Sequence, residues 1–288
     1  MKSFINPSTK IFGILGHPVS HSLSPLIHNT AFHLQNFNGV YLAFDIEKPD
    51  LKTKESFFEL GIQGLSVTIP HKKWACSIAD SRDSLSEICQ ASNTLIKTSN
   101  HKFSAYNTDG PGALNAIHTK MNSLKNKKVL LLGYGGSALA ISHSMILKDS
   151  PAMIYIGGRN QEKISEFIKT FDVHDNLSTK IAASGKDLDP EDVDLIINTT
   201  PLGMSHADET LPLDEDFIQS RHTVFDIVYV PHETPLIQAA KKRNADIVYG
   251  YLMLLYQAVL QYELFTGQKA PVDVMDGLLK EALNIKLS

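Results

Sequence analysis

The stretch Val129–Ala140, VLLLGYGGSALA, leaves the chain few folds to choose from. Four apolar residues in a row, Val129 to Leu132, are too few for a buried helix and read as a strand covered on both faces. A glycine-rich turn follows at once, and then a run of small helix formers. A strand turning directly into a helix is half of a βαβ unit, and such units build parallel sheets. The rest of the chain repeats the alternation. Apolar runs at 11–15, 40–46 and 64–69 are separated by helical patterns near 24–36 and 50–60. Residues 92–98 and 102–110 flank a polar Asn100-His101 and predict a hairpin. A helix fits 109–122 and leads into the strand and glycine turn of KKVLLLGYGG, 127–136; further strands fit 152–157, 178–182, 193–198 and 223–228, and two consecutive helices fit 250–267 and 272–286. The fold class is α/β, with parallel sheets covered by helices on both faces. With 288 residues, 43% of them hydrophobic, there is material for two medium domains. No long linker appears, so the joints are short and fall near Thr108–Asp109 and Gly250.

Composition removes several function classes. A net charge of −4, with no basic stripe or tail, excludes a nucleic-acid partner. No apolar run approaches ~18 residues, which excludes a membrane span. The start, MKSFINPSTK, has no apolar signal core, and Cys76 and Cys89 are too few for a disulfide framework. Both point to a cytoplasmic protein with reduced thiols. His17, His21, His28 and His33 lack any metal-ligand spacing, so no metal is expected.

Within the glycine stretch, Gly133-x-Gly135-x-x-Ala138 has the spacing of a dinucleotide turn. Gly133 permits the tight turn, Gly135 lets the backbone approach a pyrophosphate, and Ala138 lets helix and strand pack closely. The first helical N–H groups, from Gly136 and Ser137, then face the phosphates with the positive end of the helix dipole. The next strand ends in Gly157-Gly158-Arg159-Asn160, followed by Lys163. An acid at that place would bind a ribose 2′-hydroxyl, whereas an arginine accommodates a 2′-phosphate. Asp149 precedes the strand and lies on the wrong side. The pattern predicts NADP, with NAD possible.

In the first half, a strand from Leu65 to Ile69 is stopped by Pro70, and Lys72 stands just beyond its C-terminal end, where open α/β sheets bind ligands. Asp109 follows the second hairpin strand beside the first joint. A lysine and a carboxylate on one cleft would suit proton transfer to or from a hydroxyl. The segment GHPVSHSLSPLIHN, residues 16–29, gathers short polar groups at the mouth of the first strand. Trp74 and Tyr256 read as packing residues, and Glu233-Thr234-Pro235 as a helix start with Thr234 at the N-cap.

Taken together, the motifs resemble the shikimate dehydrogenase family across nearly the whole chain. HSLSPLIHN resembles its serine-rich substrate loop, SVTIPHK its Asn-Val-Thr-x-Pro-x-Lys segment, and ASNTL and YNTDGPG its two asparagine–threonine motifs. LLLGYGGSALA resembles its glycine loop and GGRNQEK its Asn-Arg-Thr segment, while INTTPLGM, DIVYVPHETPL and GYLMLLYQAV match the remaining motifs in order. The resemblance implies a substrate domain of residues 1–108 and 250–288, with a Rossmann-type NADP-binding domain, 109–249, inserted in it. It implies NADPH-dependent, reversible reduction of 3-dehydroshikimate to shikimate, in aromatic amino-acid biosynthesis. By the same resemblance, Lys72 and Asp109 match the catalytic pair. Ser22 and Ser24 match the carboxylate-binding serines. Ser66, Thr68, Asn93 and Gln257 match contacts to the ring hydroxyls, and Tyr229 a residue near the carboxylate. Gly133, Gly135, Gly136, Ser137, Gly158, Arg159, Lys163 and Thr199 match cofactor contacts, with Gly250 and Met253 near the nicotinamide.

The match has departures. Ser66 replaces an Asn, Gln90 a Gly, Gly158 an Asn, Asn160 a Thr and Leu252 a Gly, and Tyr134 is bulkier than the usual residue of the glycine loop. Several readings stay open at this point: a shikimate dehydrogenase, a quinate/shikimate dehydrogenase with relaxed substrate or NAD use, an enzyme for an amino-substituted analogue, or a non-catalytic nucleotide sensor. The expected partners are small molecules alone, and the state a monomer or homodimer.

Overall fold

A computed structural model describes residues 5–98, 101–171, 179–185, 188–204 and 210–285. The chain forms two compact units, residues 1–108 with 257–288, and residues 109–256. The return to the first unit falls at Gln257 rather than at Gly250. The reason is that no break precedes it: Gly250–Thr266 is one continuous helix, which begins in the second unit and ends in the first.

In the first unit, β1 (Lys10–Gly16), β2 (Gly39–Asp45), β3 (Ile62–Val67), β4 (Ser81–Arg82), β5 (Thr94–Thr98) and β6 (Lys102–Tyr106) form one sheet in the order β2-β1-β3-β5-β6-β4. β1 is parallel to both neighbours, and the predicted hairpin β5–β6 is antiparallel and sits against β3. Part of its turn, residues 99 and 100, lies outside the described residues. Strand alternation sorts the side chains. Leu15, Leu65 and Val67 share a core with Phe57 and Phe58 of α2 (Leu51–Glu59) and Ala75 of α3 (Lys72–Ile78). Phe12 points to the opposite face, where its ring lies 5.4 Å from Phe32 of α1 (Ser24–Leu34) and 5.1 Å from Phe265. Gly64 and Ser66 face the same way, and a side chain at Gly64 would collide with the Phe265 ring at 2.7 Å. Asp50 begins α2 with a reciprocal capping box to Thr53, satisfying two N–H groups that a helix start leaves open. α4 (Ser84–Cys89) and α10 (Val272–Ala282) complete the unit; α10 ends at Ala282 with Leu283 as its C-cap, short of the predicted end at 286, a residue that itself lies outside the described chain.

The second unit carries β7 (Lys128–Leu132), β8 (Met153–Gly157), β9 (Lys180–Ala183), β10 (Leu195–Asn198), β11 (Thr223–Asp226) and β12 (Asp246–Val248). All pairings are parallel, in the order β9-β8-β7-β10-β11-β12. The order reverses between β7 and β10, the topological switch point at which doubly wound sheets bind dinucleotides. Every residue of β10 and β11 is buried, the continuous burial that a parallel sheet covered on both faces requires. The helices include α5 (Asp109–His118), α6 (Gly136–Lys148), α7 (Gln161–Lys169) and α8 (Pro235–Lys242), and the unit holds the first turns of α9 (Gly250–Thr266). α5 ends at His118, four residues before the predicted end at 122. The strand predicted at 178–182 is Lys180–Ala183, and residue 178 lies outside the described chain. Thr234 caps α8 as its sequence predicts, accepting from the Ile237 N–H at 3.2 Å while donating 2.7 Å to Asp226. Asp226 also accepts from Asn198 and the Val228 N–H. Burial pushes its carboxyl up to about 6 against these three bonds. Among the described residues, no helix is long and apolar enough to cross a membrane.

Candidate nucleotide and substrate sites

A cavity of about 280 Å³ opens at the C-terminal ends of β7, β8 and β10, lined by Gly133, Tyr134, Gly135, Gly158, Arg159 and Thr199 among others. Gly133 has φ +112°, outside what a side chain tolerates, and an added Cβ would stand 2.4 Å from Thr199 Oγ1. Thr199 is itself fixed, its hydroxyl donating to the Leu132 carbonyl at 2.7 Å. Beyond the turn, no atom stands within 4 Å of where a side chain at Gly135 or Gly136 would begin, so the backbone is open to a ligand. α6 starts at Gly136 with no side-chain cap, which leaves its first N–H groups, those of Gly136 and Ser137 included, for an anion. Ala138 is fully buried beneath. The donor set therefore fits a dinucleotide pyrophosphate. Arg159, two residues beyond β8, is exposed and lines the same cavity. The exposed Lys163 lies one helical turn on, and its N–H is held by Asn160, which caps α7 at 3.0 Å. Asn160 thus serves the helix here.

Tyr134 and Gly158, two departures from the family pattern, explain one another. A Cβ at position 158 would meet Tyr134 Cε1 at 2.7 Å and Cδ1 at 3.0 Å. The ring occupies the space that a side chain there would need. Gly158→Asn is expected to drive the ring out of the cavity wall and raise the Kd for NADPH about 3- to 10-fold. Adding Tyr134→Ala in the same chain should recover most of the loss. Fluorescence titration of NADPH checks both, and an unchanged Kd in the single variant would show that the ring moves at no cost.

The remaining nicotinamide candidates sit elsewhere in the second unit. Gly250 opens α9 close against the carbonyls of residues 226–228, and Met253 packs at the margin of the core with Leu252 and Tyr256. Tyr229, 38% exposed, follows β11 and so lies in the second unit, apart in the chain from the other substrate candidates.

Those others lie at one end of the first sheet, where β1 and β3 finish and β5 begins. The loop after β1 carries Ser22, and Ser24 opens α1. Ser22 Oγ accepts from the Ser24 N–H at 3.2 Å, a bond that leaves its own proton uncommitted. Thr68 and Lys72 follow β3. Because β5 runs antiparallel to β3, Asn93 at its start comes to the same end, its carbonyl accepting from the Val67 N–H at 2.7 Å. Lys72 is half-buried, is the first residue of α3, and its carbonyl accepts from the Ser92 N–H. A cation at a helix N-terminus opposes the dipole. Helix stability therefore does not explain this lysine.

The Asn93 amide is clamped. Its Oδ1 accepts from the Thr108 N–H at 2.8 Å, an obligate donor that fixes which way the amide faces. Its Nδ2 donates to Thr108 Oγ1 at 2.9 Å and lies 3.5 Å from Gln257 Oε1. Ser66 is 3% exposed, and its hydroxyl accepts from Tyr41 at 2.6 Å and donates to Gln261 at 2.7 Å. Its single proton is spent inside the unit. Asp109 opens α5 in the second unit, an acid where the helix dipole favours one. Sequence reasoning missed Tyr41 and Gln261. A signal existed for the second: Gln257 and Gln261 are four apart on a largely apolar helix, hence on one face.

Comparison with known proteins bears on this arrangement. Residues 14–95 match the shikimate dehydrogenase substrate binding domain, and residues 250–280 the shikimate 5′-dehydrogenase C-terminal domain. The chain is 44% identical over 269 residues to a shikimate dehydrogenase (NADP(+)) of Leptospira interrogans, covering 93% of this chain and 92% of that one. Among solved structures, a shikimate dehydrogenase in complex with NADP+ is 33% identical with a TM-score of 0.88, covering 97% of each chain. The Thermus thermophilus shikimate 5-dehydrogenase, in complex with NADP(H) and shikimate, is 26% identical with a TM-score of 0.81, covering 96% of this chain and all of that one.

Proposed function

The chain belongs to the shikimate dehydrogenase family, and on that premise we propose that it catalyses the NADPH-dependent, reversible reduction of 3-dehydroshikimate to shikimate. The observation that carries the reading is that Ser22, Ser24, Thr68, Lys72 and Asn93 all lie at one end of the first sheet, where β1 and β3 finish and β5 begins. These are the positions that match the family's substrate motifs. The glycine turn with Arg159 supports NADP as the cofactor.

NADPH, when bound, supplies the hydride. The remaining work falls to side chains. Ser22 and Ser24 donate hydroxyl protons to the substrate carboxylate, so that it is held by neutral groups and keeps its charge. Asn93 Nδ2, Thr68 and Gln257 meet the ring hydroxyls. The Lys72 ammonium gives its proton to the ketone oxygen as that carbon is reduced, and the resulting amine takes the hydroxyl proton in the reverse direction. Asp109 is the carboxylate paired with Lys72 in this proton transfer. Gly133, Gly135 and the start of α6 hold the pyrophosphate, and Arg159 with Lys163 the 2′-phosphate. Small molecules are the only partners the reading requires. The cytoplasm, with its NADPH supply, is where we place the reaction, for a monomer or a homodimer alike.

Initial rates with shikimate and with quinate, each with NADP+ and with NAD+, test the assignment. The expected result is a kcat/KM for shikimate with NADP+ at least about 10-fold above the other three combinations. A faster reaction with quinate or NAD+ would reassign substrate or cofactor. Binding without turnover of either polyol would make the protein a sensor.

A further inference from the structure

Beneath the substrate end of the first unit runs a chain of buried polar groups that the proposed chemistry does not use. We propose that Tyr41 is a positioning residue for substrate, setting Ser24 directly and Asn93 through Ser66 and Gln261. The proposal rests on the reading of Ser24 and Asn93 as substrate contacts.

The protons run one way along it. Tyr41 donates to Ser66 at 2.6 Å, and Ser66 donates to Gln261 Oε1 at 2.7 Å. Gln261 Nε2 then donates to both the Asn93 carbonyl and Thr94 Oγ1, each at 3.1 Å. Thr94 donates to Asn93 Oδ1 at 3.0 Å. At the other end, the Tyr41 oxygen, its one proton given to Ser66, accepts from the Ser24 hydroxyl, a bond that holds Ser24 in place until the substrate carboxylate takes that proton over. Tyr41, Ser66, Asn93, Thr94 and Gln261 are each at most 3% exposed. A polar chain this deep costs more to bury than apolar side chains unless every member is paired, and here each is. A core needing only volume has no use for it. Its two ends are the two residues whose donors meet the substrate's carboxylate and hydroxyl.

The surroundings keep the direction fixed. The Tyr41 ring stacks on His28 at 4.5 Å and 14°. Burial drives His28 down to about 3, against a smaller upward pull from Gln261, so no cation sits beside the phenol. Burial also pushes the phenol well above its ordinary range, which keeps Tyr41 a donor. Ser66, matched by motif to a substrate contact, becomes on this account the middle of the chain.

Tyr41→Phe removes one hydroxyl and keeps the ring. The expected result is a KM for shikimate raised about 5- to 20-fold with the KM for NADP+ moved less than about twofold. Ser66→Ala, which cuts the chain one step further on, should raise the same KM. Because both break one chain, the double variant should be no worse than the poorer single, where independent roles would multiply. Isothermal titration with shikimate and thermal melting accompany the kinetics, so that loss of fold is seen separately. If Tyr41→Phe melts earlier and leaves the KM for shikimate unchanged, or if the two effects multiply, the positioning role falls while the dehydrogenase reading stands. If the unsubstituted protein turns over no shikimate, that reading falls, and the positioning role with it.

Discussion

Lys72→Ala is expected to lower kcat for shikimate oxidation with NADP+ by at least ~100-fold, with the KM for shikimate staying within about threefold. The substitution removes the one group assigned to move the hydroxyl proton, and general acid–base catalysis by a positioned side chain is worth about 10²–10⁴ in rate. On the proposed assignment substrate affinity is spared, because carboxylate and ring hydroxyls would keep Ser22, Ser24, Asn93 and Gln257. The fold is spared as well. Lys72 contributes its carbonyl, not its side chain, to the bond with Ser92, and alanine is a good first residue for α3. Steady-state kinetics in both directions check this, with a melting curve as the control. A variant turning over at the normal rate would take Lys72 out of the mechanism.

Gly133→Ala is expected to raise the Kd for NADPH by about 10- to 100-fold. Two costs combine at this residue. Its φ of +112° is closed to a residue with a Cβ, and that Cβ would stand 2.4 Å from a threonine hydroxyl tied to the Leu132 carbonyl. Relieving either contact shifts the turn where the backbone must approach the pyrophosphate. Backbone strain of this kind is worth about 1–3 kcal/mol, and about 1.4 kcal/mol is a tenfold change in affinity. Fluorescence titration measures it. A wild-type Kd in a chain that melts normally would move the pyrophosphate site away from this turn.

How far the sequence could be read depended on distance along the chain. The strand, glycine turn and helix at 129–140 declare themselves because each constraint lies within a few residues of the next. So does the Thr234 cap of α8. The short strands β4 and β12, two and three residues long, carry too little periodicity to register, and neither was expected. Ser66 could be matched to a motif, but its hydroxyl is committed to Gln261, 195 residues away, and no local pattern reports that. Tyr134 and Gly158 each look like an isolated departure in sequence. They become a pair only when parallel β7 and β8 bring the two strand ends together. The return at Gln257 was misplaced for a related reason. Apolar patterning sees a helix start at Gly250, but not which unit each of its turns packs into.

The continuity of α9 also governs how this protein can be taken apart. Cutting after residue 108 would free a piece with all six strands of its sheet but without Gln261 for Ser66 and without Phe265 for Phe12. Cutting before Gly250 would strip the inserted unit of Leu252, Met253 and Tyr256 from the border of its core. Neither half is an excisable module, and shuffling with a relative has to exchange the whole of residues 250–266 or leave it whole.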